Sequence, residues 1–224
     1  MNLCMKEKYF SLASLQHEVG NLISDLALQN NRQKSLKWQA SIVQSTLIVT
    51  DMQNYFLSPD SHAFIPSAAA IIPNIQKLAD FFRESNRPVI FTQHVNNDED
   101  AGSMKAWWRD IIRNRTPSAE IYENLVQIGD IILIKNQYDA FHHTDLEEIL
   151  KKNNARFPVI CGVMANLCCE TTTRTAFVKG FQPVLPIDAT AAYNREFHIA
   201  TFRNLSFGFC PLMTTKEVIG RLQQ

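Results

Sequence analysis

The strongest constraint on the fold of this chain is an alternation. Short, nearly uninterrupted apolar runs recur between residues 46 and 213, and longer segments with helical spacing separate them. The runs at 46–50, 88–92, 131–135, 158–162, 183–187 and 210–213 read as strands. Most are continuous in polarity rather than alternating, as a parallel sheet requires when helices cover both of its faces. The stretches near 66–85, 104–113, 143–153, 167–179, 195–207 and 215–223 read as helices between them. Repeated strand–helix–strand order predicts an α/β fold, a three-layer doubly wound α/β/α sandwich around a six-stranded, mainly parallel sheet.

The alternation begins only after residue 44. Before it, Leu12, Leu15, Val19, Leu22, Ile23 and Leu26 recur at steps of three and four, which predicts one amphipathic helix. Residues 29–41 are polar, carry Arg32, Lys34 and Lys37, and read as a linker. The expected organisation is therefore an N-terminal helix and linker over 1–44, appended to one domain over 45–224. A chain of 224 residues has the length for one such core.

Composition removes several classes of function. Lys plus Arg and Asp plus Glu stand at 22 each, so no basic face is available for nucleic acid. No apolar run approaches the ~20 residues of a membrane span. The five cysteines, Cys4, Cys161, Cys168, Cys169 and Cys210, follow no disulfide framework and read as reduced thiols. No positive segment followed by an apolar one opens the chain. The expectation is a cytoplasmic protein without membrane or nucleic-acid partners.

In a doubly wound sheet, ligands bind beyond the carboxyl ends of the strands, where the strand order reverses. Three reactive side chains fall on that rim. Asp51 ends the first run and Lys135 the third, while Cys168 follows the fourth in Gly162-Val163-Met164-Ala165-Asn166-Leu167-Cys168-Cys169-Glu170. Asn166 is a candidate N-cap and Gly180 a candidate stop for the helix that follows. Cys168 then lies in a first helical turn, where the macrodipole favours a thiolate. Each residue alone also has a plain structural reading. A carboxylate at a strand end can cap the next helix, a lysine can snorkel to solvent, and a cysteine can pack as a small hydrophobe.

Together the motifs Asp51-Met52-Gln53-Asn54-Tyr55-Phe56, Lys135-Asn136-Gln137-Tyr138-Asp139-Ala140-Phe141 and the segment from Gly162 to Arg174 resemble those of the isochorismatase-like cysteine hydrolases. That family includes nicotinamidases and N-carbamoylsarcosine amidase, and the resemblance runs from about residue 45 to the C-terminus. It implies a triad in which Asp51 accepts the thiol proton, Lys135 holds the charges and Cys168 is the nucleophile. It also implies a cis peptide between Val163 and Met164, with the N–H groups of Met164 and Cys168 forming an oxyanion hole. Phe56 matches an aromatic wall of the substrate pocket, Trp107, in the lid segment Trp107-Trp108, is the expected second aromatic contact, and His94 stands where it can touch substrate or serve only structure. Nicotinamidases carry Asp-x-His where this chain has His94-Val95-Asn96, so no metal site and no cofactor are expected. His142-His143 is not expected to bind metal either, since adjacent histidines do not converge on one ion.

The reading that results is a hydrolase acting on non-peptide carbon–nitrogen bonds, with a small amide, carbamoyl or ureido compound and water as its substrates. Relatives of this kind suggest a homodimer or homotetramer, with the N-terminal helix as a candidate contact. Two alternatives remain. One is an isochorismatase-type vinyl-ether hydrolase, against which Cys168 counts because those enzymes carry glycine there. The other is a non-catalytic binding protein on the same fold.

Overall fold

The computed structural model describes residues 5–27, 39–108 and 110–224. Cys4 and most of the expected linker lie outside them. The sheet is built on β1 (Ser45–Thr50), whose six residues are all buried. β1 pairs in parallel with β2 (Val89–His94) on one side and β4 (Phe157–Val163) on the other. β3 (Ile131–Lys135) lies outside β2, and the two-residue β6 (Thr190–Ala191) outside β4, so the order is β3-β2-β1-β4-β6. The chain moves outward through β2 and β3 and then returns to the other side of β1. The strand order therefore reverses between β1 and β4, at the ends that lead to Asp51 and Cys168.

The six expected strands become five in the main sheet, with a separate parallel pair of β5 (Leu185–Pro186) and β7 (Leu212–Met213). Pro183 and Pro186 cannot donate to a ladder, which breaks the expected fifth strand. Val184 alone bridges to Val159, a 3₁₀ turn spans Ile187–Ala189, and β6 resumes beside Gly162 and Val163.

The helices are α1 (Leu15–Ala27), α2 (Asn54–Leu57), α3 (Ala68–Glu84), α4 (Ser103–Trp108), α5 (Leu146–Lys152), α6 (Glu170–Val178), α7 (Arg195–Gly208) and α8 (Thr215–Leu222). They flank the sheet, as the alternation predicts. The helix expected to 113 stops at Trp108 because the chain is drawn back onto the end of β2. There Asn96 N–H donates to the Ile112 carbonyl at 2.7 Å, and Ile112 packs with Val95 and Ala119. Among the described residues no helix is long and apolar enough to cross a membrane.

The N-terminal helix departs from its expected role as an appendage. Leu15, Val19, Leu22 and Leu26 are buried in the same cluster as the strands, together with Tyr9 and Phe10. Each such side chain contributes roughly 2 kcal/mol by leaving water. Because the apolar stripe is covered within the chain, it no longer calls for a second subunit.

Candidate active site

Asp51 leaves β1 in a left-handed backbone conformation, with φ at 49°, and is fully buried. Two reciprocal bonds to β2 fix it. Its N–H donates to Thr92 Oγ1 at 3.1 Å, and the Thr92 hydroxyl donates to Asp51 Oδ1 at 2.5 Å. Lys135 arrives from two strands away. On β3 the side chains alternate, Ile132 and Ile134 facing out and Leu133 and Lys135 in, so the strand's period of two buries the lysine. Its Nζ lies 2.8 Å from Asp51 Oδ2, 2.9 Å from the Gln137 carbonyl, 3.2 Å from His94 Nδ1 and 3.5 Å from Cys168 Sγ. Burial works to lower the ammonium pKa, but the Asp51 carboxylate and the Cys168 sulfur outweigh it and hold it above its ordinary value.

Cys168 is aimed by the end of β4. Gly162 has φ of 104°, and a Cβ there would sit 2.2 Å from the Thr50 carbonyl oxygen, so only glycine allows β4 to approach β1 this closely. A cis peptide joins Val163 to Met164. Next comes a π-helical turn, Ala165–Cys169, closed by Cys169 N–H on the Met164 carbonyl at 3.2 Å, which runs into α6. Asn166 sits inside that turn, and the cap position falls to Met164, which corrects the expected N-cap. Gly180 ends α6 as predicted, with φ of 88° and Phe181 N–H bonded to the Ala176 carbonyl.

The resting charge on Cys168 also differs from expectation. Burial, and then the Asp51 carboxylate, raise the thiol pKa, and Lys135 only partly offsets them. The site therefore holds a neutral thiol beside a carboxylate and an ammonium. That arrangement suits a thiol deprotonated as substrate arrives.

His94 completes this cluster. The ammonium can only donate, so His94 Nδ1 accepts and the ring proton lies on Nε2, 2.8 Å from Asn96 Oδ1. Burial first, then the Lys135 charge, push its pKa down to about 4, so the ring is neutral near pH 7. Among the described residues the one set of His, Cys, Asp or Glu side chains close enough to share a metal ion is Asp51, His94 and Cys168. Lys135 Nζ already stands within 3.5 Å of an atom of each. With both ring nitrogens of His94 engaged as well, these residues do not fit a metal; their cation is the lysine.

A cavity of about 50 Å³ opens above Cys168, lined by Phe56, His94, Trp108, Tyr138, Met164 and Tyr193 among others.

The family model described as the isochorismatase domain matches residues 45–217. The chain belongs to the isochorismatase family. Nicotinamidase 3 of Arabidopsis thaliana is 40% identical over 174 residues, covering 75% of this chain and 84% of that protein. Enterobactin synthase component B of Escherichia coli is 27% identical over 190 residues, 84% of this chain and 66% of that protein. A crystal structure of a cysteine hydrolase from Pseudomonas syringae pv. phaseolicola is 28% identical, with a TM-score of 0.80 over 84% of this chain and 96% of that one.

The structure gives roles to further residues of this isochorismatase-family hydrolase. Trp108, not Trp107, faces the cavity, its indole N–H donating to Tyr138 Oη at 2.6 Å, whereas Trp107 is 76% exposed. Adjacent helical positions point about 100° apart, and the sequence held no signal for choosing between them. Gln53 clamps β2 to β1, accepting from His94 N–H at 2.8 Å and donating to the His94 carbonyl at 3.0 Å. Thr92 was visible only as the last residue of a strand. Glu170 and Arg174 pair along α6 at 2.7 Å, with the guanidinium stacked on Phe209, a bracing role that their spacing predicts.

Proposed function

We propose that this isochorismatase-family hydrolase cleaves a carbon–nitrogen bond of a small amide, carbamoyl or ureido compound through a thioester on Cys168. The observation that carries the reading is the buried Lys135 ammonium, in contact with both the Asp51 carboxylate and the Cys168 sulfur. As the substrate carbonyl enters the cavity, Asp51 takes the thiol proton and the sulfur attacks the carbonyl carbon. Lys135 balances the negative charge that moves from carboxylate to sulfur. The N–H groups of Met164 and Cys168 receive the oxyanion, a contact worth about 3 kcal/mol in comparable enzymes. Asp51 returns the proton to the departing nitrogen. Water, deprotonated by the same carboxylate, then cleaves the thioester and restores the thiol.

The test is release of ammonia or amine from a panel of primary amides, N-carbamoyl and ureido acids. Acid-quenched samples are weighed as intact protein to find an acyl adduct on Cys168. Cys168→Ala should abolish the adduct and lower turnover at least about a thousand-fold. Full turnover by Cys168→Ala, together with hydrolysis of a vinyl ether, would establish the non-covalent chemistry instead.

A further inference from the structure

Residues 5–10 precede the region that the family model matches, yet they bridge two walls of the cavity. On one side Glu7 N–H donates to the Tyr193 carbonyl at 2.8 Å, and the Lys6 ammonium lies 4.7 Å from the centre of the Tyr193 ring. On the other, the same ammonium donates to the His62 carbonyl, and Phe10 N–H donates to Ser67 Oγ at 3.0 Å. Tyr193 lines the cavity, and so does Ala63, next to His62. His62 Nε2 lies 2.9 Å from both carboxylate oxygens of Asp110, and the Tyr55 hydroxyl donates to that carboxylate at 2.6 Å. Tyr55 and Asp110 are lining residues too.

These contacts form a continuous tie around the rim, from Tyr193 through Lys6 to His62, Asp110 and Tyr55. Its N-terminal segment is anchored from below. The Tyr9 hydroxyl accepts from Ala192 N–H at 2.8 Å and is hydrogen-bonded to His198 Nδ1, 2.6 Å away, while the Phe10 ring is wholly buried. This anchor holds the exposed Lys6 ammonium against both loops, beside the Glu7–Tyr193 and Phe10–Ser67 bonds.

We propose that Lys6 is a positioning residue that ties the rim of the cavity and limits the size of molecule that reaches Cys168. As a statement about substrate it rests on the cavity being the site of hydrolysis. As a statement about access to Cys168 it stands without that reading. A substrate for this chain is then bounded by a segment from outside the matched domain, and removal of one cation widens the entrance.

The experiment compares alkylation of Cys168 by iodoacetamide and by bulky N-pyrenylmaleimide, assigned by peptide mass, in the wild type, Lys6→Met and Lys6→Arg. Lys6→Met keeps the aliphatic stem and loses both the hydrogen bond and the ring contact. It should raise the rate ratio of the bulky to the small reagent by about five-fold, the population change expected from losing one net hydrogen bond. Lys6→Arg should restore the wild-type ratio, and the melting temperature should hardly move. An unchanged ratio in Lys6→Met overturns the proposal. Equal acceleration of both reagents with a lowered melting temperature overturns it too, by assigning Lys6 to stability alone. Failure of every amide to turn over would sink the hydrolytic reading while leaving the labelling result intact.

Discussion

Asp51 and Lys135 face each other at 2.8 Å with no solvent exposure of either side chain. Removing one partner of such a pair leaves the other as an uncompensated buried charge, which costs about 3–5 kcal/mol, whereas removing both costs much less. Lys135→Met should therefore lose several kcal/mol in urea denaturation, and the double variant with Asp51→Asn should recover most of it while remaining inactive. Additive losses in that cycle would mean that the two side chains do not interact. The clustering of these three residues was legible because the strand pattern ends at Asp51 and Lys135 and because Cys168 follows a glycine-broken strand. The cross-strand partners were not. Thr92 and Tyr193 reach the site from other elements, and nothing local in the sequence marks them.

At the scale of elements, β1, β2 and β4 were legible from continuous apolar runs, since burial on both faces leaves no alternation to misread, and β3 from its apolar run although one of its faces is exposed. The last strands were obscured by Pro183, Pro186 and the 3₁₀ turn at Ile187–Ala189, where the chain gives up ladder bonds to turn a corner. The stripe of α1 was equally plain, but a periodic pattern reports which face is apolar and not what covers it. Its docking on the main core now gives a definite expectation. Leu22→Ala removes a side chain that is 1% exposed, and should cost roughly 2–5 kcal/mol in a single cooperative unfolding transition. A change within ~0.5 kcal/mol, as for an independent surface helix, would detach α1 from the folding unit.

For the molecule as a whole, two histidines buried in different regions make stability depend on pH. His94 sits beside Lys135, and His198, on α7, beside Tyr9. Burial is the main cause in both, and it pushes their pKa values down to about 4 and about 3. In the unfolded chain each returns to about 6.5, so below that value the unfolded state binds protons that the folded state refuses. Their contribution is complete above pH ~6.5 and falls as the pH drops toward 4, by about 1.4 kcal/mol per pH unit for each histidine. Ordinary carboxylates titrate near ~4, so the window from pH 6.5 to 5 isolates the histidines. Urea midpoints across it should decline steeply for the wild type and about half as steeply for His198→Asn, whatever that variant's stability at pH 7.5. Equal slopes would mean that His198 takes up its proton in the folded state. The protonated Nδ1 would then donate to the Tyr9 oxygen, 2.6 Å away, and the anchor of residues 5–10 beside the cavity would hold at acid pH.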